Sequence, residues 1–247
     1  MKKPLSYICA TSFSLALLLS GCGMIDKQAA EVGSPAVQQV LATPVYKRVE
    51  IISSPEGAKQ LLIEGNQRFT SDKPLSKDLS FTRRSELMKN GQHPFAVIVS
   101  CSDSRVPPEL LFDQALGDLF VVRVAGNVVT PVEMGSIEYA VEHLKVPLVV
   151  VLGHEECGAV TTAVQGGEAH GSIAAIIEKI KPAVNEARAT KASGKDLIEK
   201  SADLNIKNAL IDIAQSPIIK EGVAMKQVRV IGAKYDLDEG VLKLMND

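Results

Sequence analysis

Two short segments of the chain combine residue types that can hold a metal ion. One contains Cys101, Asp103 and Arg105 in the run CSDSR, and the other contains His154 and Cys157 in the run GHEEC. Zinc binds Cys sulfur, His nitrogen and carboxylate oxygen in a tetrahedron, so these residues include a full zinc ligand set. Each spacing is weak evidence by itself. Together the two segments predict one zinc site built by two loops.

Each of these segments follows a short apolar run rich in β-branched residues, at residues 95–100 and 147–152. Apolar runs of this length that end abruptly in polar residues are typical of buried parallel strands. In open α/β sheets, ligands bind at the C-terminal edge of such strands. We therefore expect both loops to lie at the same edge of one sheet.

The rest of the chain alternates between strand and helix patterns. Strands are predicted at residues 95–100, 119–124, 147–152, 227–235 and 240–244, and helices at residues 55–72, 81–90, 107–112, 132–144, 157–164, 173–189 and 197–214. This alternation predicts an α/β fold with a mostly parallel central sheet flanked by helices. The turn residues 236–239 predict a terminal hairpin.

Composition limits the classes of partner. The 247 residues are 46% hydrophobic and 23% charged, with a net charge of −2, which is ordinary for a globular chain with one core. Aromatic residues make up only 4%, there is no Trp, and no basic stripe is present, so nucleic acid is not an expected partner. A small, nearly neutral substrate fits this balance better.

The N-terminus carries an export signal pattern. A positive start, Met1-Lys2-Lys3, precedes an apolar stretch at residues 5–19 that is too short to span a bilayer, and Leu19-Ser20-Gly21-Cys22 follows. This pattern resembles a bacterial lipoprotein signal, in which the peptide is cut before a cysteine that becomes lipidated. The alternative is a buried N-terminal helix with an incidental cysteine.

The lipoprotein resemblance implies a division of the chain and a location. Residues 1–21 would be a signal peptide, 22–54 a lipidated tether and 55–247 the folded domain. Gly23 instead of Asp after Cys22 resembles the pattern sorted to the outer membrane, facing the periplasm. Two or more acyl chains would make a stable membrane anchor.

Cysteine usage leaves two readings of the domain. Cys9 would leave with the signal and Cys22 would carry lipid, so the domain would keep only Cys101 and Cys157. A disulfide is the default for a lone pair in an exported protein. A Cys101–Cys157 disulfide is therefore the alternative to zinc, which would occupy both sulfur atoms.

The residues around the two loops resemble a known family. The runs CSDSRVPPELLFDQALGDLFVVRVAGN at residues 101–127 and GHEECGAV at residues 153–160 resemble the signature stretches of β-class carbonic anhydrases. The similarity extends roughly from Glu56 to the C-terminus. It implies four parallel strands plus an added strand, and assembly as a homodimer or homotetramer.

The resemblance also implies the site. Cys101, His154 and Cys157 would be the protein ligands of one zinc ion. Asp103 would be either a fourth ligand in a closed site or the partner of Arg105, leaving room for water. Gln92, nine residues before the first ligand, would position the substrate.

The implied activity is the reversible hydration of carbon dioxide to bicarbonate and a proton by zinc-bound hydroxide, which makes the protein a lyase. One alternative is hydrolysis of carbon disulfide or carbonyl sulfide at the same site. The other alternative is a non-catalytic zinc-binding protein of the cell envelope. The presence of Asp103 and Arg105 argues against it, because a structural zinc site needs neither residue.

Charge considerations support these roles. Two thiolates cancel the charge of zinc, so a bound water should ionise at a higher pH than the value of about 7 seen with three histidines. Arg105 can hold the Asp103 carboxylate with two hydrogen bonds, leaving it ionised to orient the hydroxide. The simpler interpretation of Arg105 is a solvated charge on the surface. The simpler interpretation of Gln92 is a residue of the turn that precedes the first strand.

A further pair of charges flanks the second predicted strand. Asp118 precedes this strand and Arg123 lies inside the run VVRVAGN. Because a charge within an apolar strand needs a partner, a structural salt bridge is predicted there.

Overall fold

A five-stranded sheet forms the centre of the structure. The computed structural model of the chain describes residues 45–48 and 50–245. The strands are β1 (Ala96–Ser100), β2 (Leu119–Arg123), β3 (Leu148–His154), β4 (Arg229–Tyr235) and β5 (Leu242–Leu244). They lie in the order β2-β1-β3-β4-β5. The first four are parallel and β5 pairs antiparallel with β4, which confirms the predicted fold class and the added terminal strand.

Helices cover the sheet. They are α1 (Pro55–Thr70), α2 (Phe81–Asn90), α3 (Pro108–Leu111), α4 (Pro131–Glu142), α5 (Gly158–Gln165), α6 (Ile173–Ala189), α7 (Gly194–Ile213) and α8 (Pro217–Ala224), with a 3-10 turn at Ala125–Asn127. The Ser54 side chain caps α1 by accepting from the Gly57 N–H. Helix α8 was not predicted, although Ser216 caps it in the same Ser-Pro pattern.

Two apolar layers bury the central strands. Alternate residues of β1 and β3 point to opposite faces. Ile98 and Leu148 pack into the layer that includes α1, whereas Val99 and Val149 pack into the layer that includes α4 and α7. Both strands are buried on both faces, which explains their continuous apolar sequence.

Strand register brings the two candidate loops to one edge. Ser100, the last residue of β1, pairs with Leu152 of β3. Strand β3 continues to His154 because Gly153 and His154 still pair with β4. It therefore ends two residues later than predicted, and His154 lies on the strand rather than in the following loop.

A buried charged network lies beside α1. Asp113 is fully buried and accepts hydrogen bonds from Arg68, from Lys77 and from the Leu75 N–H. Burial alone would raise the pKa of this carboxyl, but the hydrogen bonds from Lys77 and Arg68 outweigh it and hold the pKa below its usual value. The network ties α1 and the residues after it to the loop that follows α3.

Contacts with the domain begin before Pro55. Tyr46 forms a parallel bridge with Lys77, and Arg48 pairs with Asp118 at 3.2 Å. The predicted signal peptide, Cys22 and most of the predicted tether lie outside the described residues. Within the described part of the chain, none of the helices has the length and apolar character that a membrane span needs.

Candidate metal centre

Three candidate ligands meet at the C-terminal edge of the sheet. Cys101 follows β1, His154 ends β3, and Cys157 immediately precedes α5. Their ligand atoms all lie within 4.8 Å of one another, and all three residues are buried. The two loops predicted to converge therefore do so.

The spacing of these atoms fits a tetrahedral zinc site. The two Sγ atoms are 4.0 Å apart and belong to free thiols. Two sulfur atoms bound to zinc at about 2.3 Å with a tetrahedral angle would be about 3.8 Å apart, whereas a disulfide needs about 2.05 Å. The geometry therefore matches zinc ligation, not the disulfide alternative.

The His154 ring presents one nitrogen to this cluster. Its Nδ1 lies 2.8 Å from the carbonyl oxygen of Glu155, which can only accept, so Nδ1–H is the donor. Nε2 is buried and has no hydrogen-bond partner among the described residues. A buried lone pair without a donor is costly unless something binds it, and a metal ion satisfies this requirement.

The thiols are electrostatically coupled. A hydrogen bond from the Cys157 thiol lowers the pKa of Cys101 against the opposing effect of burial, and the Gly126 N–H lowers it further. The same pairing, together with burial, raises the pKa of Cys157. The pair thus shares one proton, which a divalent metal ion would displace.

Two residues with left-handed backbone conformation lie next to the candidate ligands. Gly126 has φ of 73°, and its N–H donates to Cys101 Sγ at 3.3 Å. A Cβ at Gly126 would lie 2.8 Å from Ile180 Cδ1, so both conformation and space favour glycine. Glu156, between His154 and Cys157, has φ of 49°. This residue turns the chain so that the ligands on either side of it face the same point.

Asp103 is held by Arg105. The Arg105 backbone N–H and Nε donate to Asp103 Oδ1 at 2.9 and 3.0 Å, and Nη2 donates to Oδ2 at 2.8 Å. These hydrogen bonds lower the pKa of Asp103 to about 2. Oδ2 lies 3.9 Å from His154 Nε2, at the border of the cluster. Of the two predicted roles of Asp103, the structure shows the pairing with Arg105.

Arg123 does not form the predicted salt bridge with Asp118. Asp118 precedes β2 and Arg123 is its last residue, so the strand separates them by about 16 Å at about 3.3 Å per residue. Asp118 instead pairs with Arg48, whereas Arg123 donates to the Cys101 and Asp103 carbonyl oxygens at 3.0 and 2.6 Å. Strand register places Arg123 beside Ser100, where the CSDSR loop begins.

This role of Arg123 was missed because its partners are backbone atoms, which leave no sequence signal. Its position at the end of a strand next to a functional loop was the available hint.

Gln92 lies away from this cluster within the chain. It is exposed and precedes β1, whereas Cys101 follows β1. The two residues are therefore at opposite edges of the sheet, separated by the length of the strand. The substrate-positioning role of Gln92 stays a prediction.

Comparison with known proteins identifies the family of the chain. The family model described as carbonic anhydrase matches residues 96–242. "Carbonic anhydrase 2" of Mycobacterium tuberculosis is 41% identical over 192 residues, which cover 76% of this chain and 91% of the relative. "Carbonic anhydrase" of Mycolicibacterium smegmatis is 41% identical over 196 residues, which cover 78% of this chain and 94% of that relative.

A solved structure extends this agreement to the whole domain. One of the tetrameric β-carbonic anhydrases from Sordaria macrospora superimposes with a TM-score of 0.62 at 26% identity, covering 77% of this chain and 98% of that structure. The α/β fold with its mostly parallel sheet is thus shared with a β-carbonic anhydrase. The chain belongs to the carbonic anhydrase family.

Proposed function

We propose that this protein is a zinc-dependent carbonic anhydrase that interconverts carbon dioxide and bicarbonate. The observation that carries the proposal is the cluster of Cys101, His154 and Cys157 beside an Asp103 that Arg105 holds by three hydrogen bonds. Family membership, with relatives 41% identical over most of the chain, supports the same activity.

The cluster supplies the ligands for the metal. Cys101 Sγ, Cys157 Sγ and His154 Nε2 would hold zinc, since these are the donor atoms that converge and His154 Nε2 has no other partner among the described residues. When bound, zinc supplies the Lewis acidity that makes water nucleophilic at moderate pH.

Asp103 orients the attacking water. Its carboxylate is ionised over the whole physiological range because Arg105 lowers its pKa. Three of its roughly four lone-pair positions are taken by Arg105, which leaves a free acceptor position on Oδ2, the oxygen nearer His154. That oxygen can accept a hydrogen bond from the nucleophile and fix its direction of attack.

The Asp103–Arg105 pair also favours catalysis over a purely structural zinc site. A structural site is closed by four protein ligands. Here the carboxylate that could close it is held by Arg105. Three protein ligands and one open position are the pattern of catalytic zinc.

Stopped-flow carbon dioxide hydration with a pH indicator tests this function. The full chain should accelerate hydration, and a zinc chelator should abolish the acceleration. A zinc-loaded protein without activity on carbon dioxide would contradict the proposal. Activity on carbon disulfide or carbonyl sulfide in the same sample would then identify the alternative substrate.

We further propose that the protein is lipid-anchored at Cys22 in the cell envelope, with the domain facing the periplasm from the outer membrane. Support comes from the sequence pattern Leu19-Ser20-Gly21-Cys22 followed by Gly23. Palmitate labelling of cells should mark the parent protein but not Cys22→Ser, and fractionation should place the parent in the outer membrane. Unlabelled protein in the soluble fraction would contradict the anchor.

We also propose a homodimeric or homotetrameric assembly. The Sordaria macrospora structures are described as tetrameric, and the resemblance covers nearly all of that chain. Light scattering coupled to size-exclusion chromatography should give two or four times the mass of the chain. A monomer would contradict this proposal without affecting the zinc centre.

A further inference from the structure

The turn between His154 and Cys157 is held from outside by helix α7. The Glu156 N–H donates to Glu199 Oε1 at 3.0 Å. Glu199 lies 43 residues further along the chain, on α7, and its side chain is only 21% exposed. A carboxylate accepting a backbone N–H is a charge-assisted hydrogen bond, which is stronger than one between neutral groups.

This hydrogen bond acts on a residue in a disfavoured conformation. Glu156 has φ of 49°, a left-handed value that residues with a Cβ rarely adopt. Its side chain pairs with Lys195, but both partners are largely exposed, so this pair contributes little. The backbone contact with Glu199 is therefore the better-placed restraint on the turn.

Lys234 fixes the Glu199 carboxylate in turn. Its Nζ lies 2.7 Å from Glu199 Oε2 and 2.8 Å from Asp203 Oδ1, and its side chain is 14% exposed. On β4, Lys234 is paired with Gly153, the residue before His154. A single lysine thus links the strand that carries the histidine ligand with the helix that holds the turn.

Helix α7 also contacts the 3-10 turn after β2, which in turn contacts Cys101. Asn205 is buried and donates to the Gly126 carbonyl at 2.7 Å, and the Gly126 N–H donates to Cys101 Sγ. Polar side chains of α7 therefore hold the His154–Cys157 turn directly and the Gly126 N–H that contacts Cys101.

We propose that Glu199, held by Lys234, is a positioning residue that keeps the His154–Cys157 turn in the geometry needed to bind the metal ion. It acts through the Glu156 backbone and does not contact the reacting groups. This inference rests on the proposed zinc centre. Partners that orient ligands commonly change metal affinity by about 10- to 100-fold when removed.

Two substitutions of Glu199 separate the effect of its side-chain length from the effect of its charge. Glu199→Gln keeps an oxygen at the same distance and can still accept from the Glu156 N–H, but it loses the ion pair with Lys234. Glu199→Asp keeps the charge but withdraws the carboxylate by about 1.5 Å, one C–C bond. The hydrogen bond would then stretch beyond its usual limit of about 3.2 Å.

The measurement is the zinc dissociation constant of the full chain, obtained by competition with a chromophoric chelator. We expect Glu199→Asp, which loses the reach to Glu156, to bind zinc about tenfold or more weakly. Glu199→Gln keeps that reach but loses the Lys234 ion pair, so its zinc binding should be weakened less. The visible spectrum of the cobalt-substituted protein should change in Glu199→Asp only. Asp212→Asn, which removes another ion pair of α7, with Lys179, is the matched control and should leave both readouts unchanged.

The opposite pattern would overturn the inference. Parental zinc affinity in Glu199→Asp, or equal weakening in both variants, would show that the reach to Glu156 is not what matters. Thermal unfolding of each variant separates loss of fold from loss of the site. A parent protein that binds no zinc would instead overturn the zinc centre itself.

Discussion

Replacing Asp103 should abolish most of the activity and leave zinc binding intact. In Asp103→Asn the shape is kept, but one carboxylate oxygen becomes an NH2 group. Oδ1 already accepts two donors from Arg105, so the amide oxygen is drawn to that position and the NH2 group takes the place of Oδ2. The free acceptor facing the centre then becomes a donor.

The expected loss of kcat/KM follows from the contact that is removed. Asp103→Ala removes the acceptor altogether, so both variants lose the same orienting contact. Loss of a positioned proton acceptor costs about 10²-fold or more in kcat/KM, equivalent to about 2.7 kcal/mol of transition-state stabilisation. Zinc content should stay at the parental level, because the Asp103 carboxylate is engaged by Arg105.

Stopped-flow hydration and metal analysis on the same samples measure both quantities. Asp212→Asn serves as a control carboxylate substitution on the far part of α7. Near-parental kcat/KM in Asp103→Asn would refute the orienting role. Loss of zinc from either Asp103 variant would show that the carboxylate is a ligand, as in a closed site.

Three further predictions address the supports of the site. In Arg123→Lys, the lysine cannot span the two carbonyl oxygens that the guanidinium contacts. Steady-state kinetics should therefore show a kcat/KM about tenfold lower, with parental zinc content. Unchanged kinetics would contradict a role for Arg123 in holding the CSDSR loop. Asp113→Asn should lower the free energy of unfolding by about 3 kcal/mol in urea at pH 7, because it leaves cationic partners facing an amide. Because folding lowers the pKa of Asp113, its stabilising contribution is complete above the unfolded pKa of about 3.9 and is lost as the pH falls below that value. The difference in unfolding free energy between the metal-free parent and the variant should therefore shrink below about pH 4. A difference that does not depend on pH would refute the ionic origin. Gly153→Ala should destabilise the fold by about 1–3 kcal/mol in thermal unfolding, since its Cβ would lie 2.5 Å from Ile206 Cδ1. Gly158→Ala is the control and should be tolerated, because beyond its own helix and chain neighbours nothing lies within 4 Å of its Cβ. Equal effects of the two substitutions would contradict the packing argument.

Much of the fold could be predicted because its signals are local. The buried strands β1 and β3 are continuous apolar runs, and helices such as α2 begin at a Ser cap and end at a glycine. Helix α8 was missed since its eight residues are short for a clear helical period. The predicted end of β3 was wrong because pairing with β4, whose residues lie 81 positions later in the chain, extends β3 to His154.

The ligand residues of the candidate site were also accessible from sequence, but their supports were not. Cys101, His154 and Cys157 have side chains whose chemistry is distinctive. Arg123 and Glu199 act on backbone atoms of distant segments, and these contacts depend on strand register and helix docking. Pairing Arg123 with Asp118 followed from counting charges near one strand, and it failed because each charge found a partner elsewhere in the fold.

Titration of the metal-free full chain with zinc, followed by carbon dioxide hydration, tests the central claim most directly. The account predicts that the hydration rate rises in proportion to added zinc and stops rising at about one equivalent per chain, the capacity of one Cys-His-Cys centre. The zinc-loaded rate should also increase towards alkaline pH, because two thiolates weaken the Lewis acidity of the metal. Full activity without zinc, or zinc bound stoichiometrically without any hydration, would contradict it.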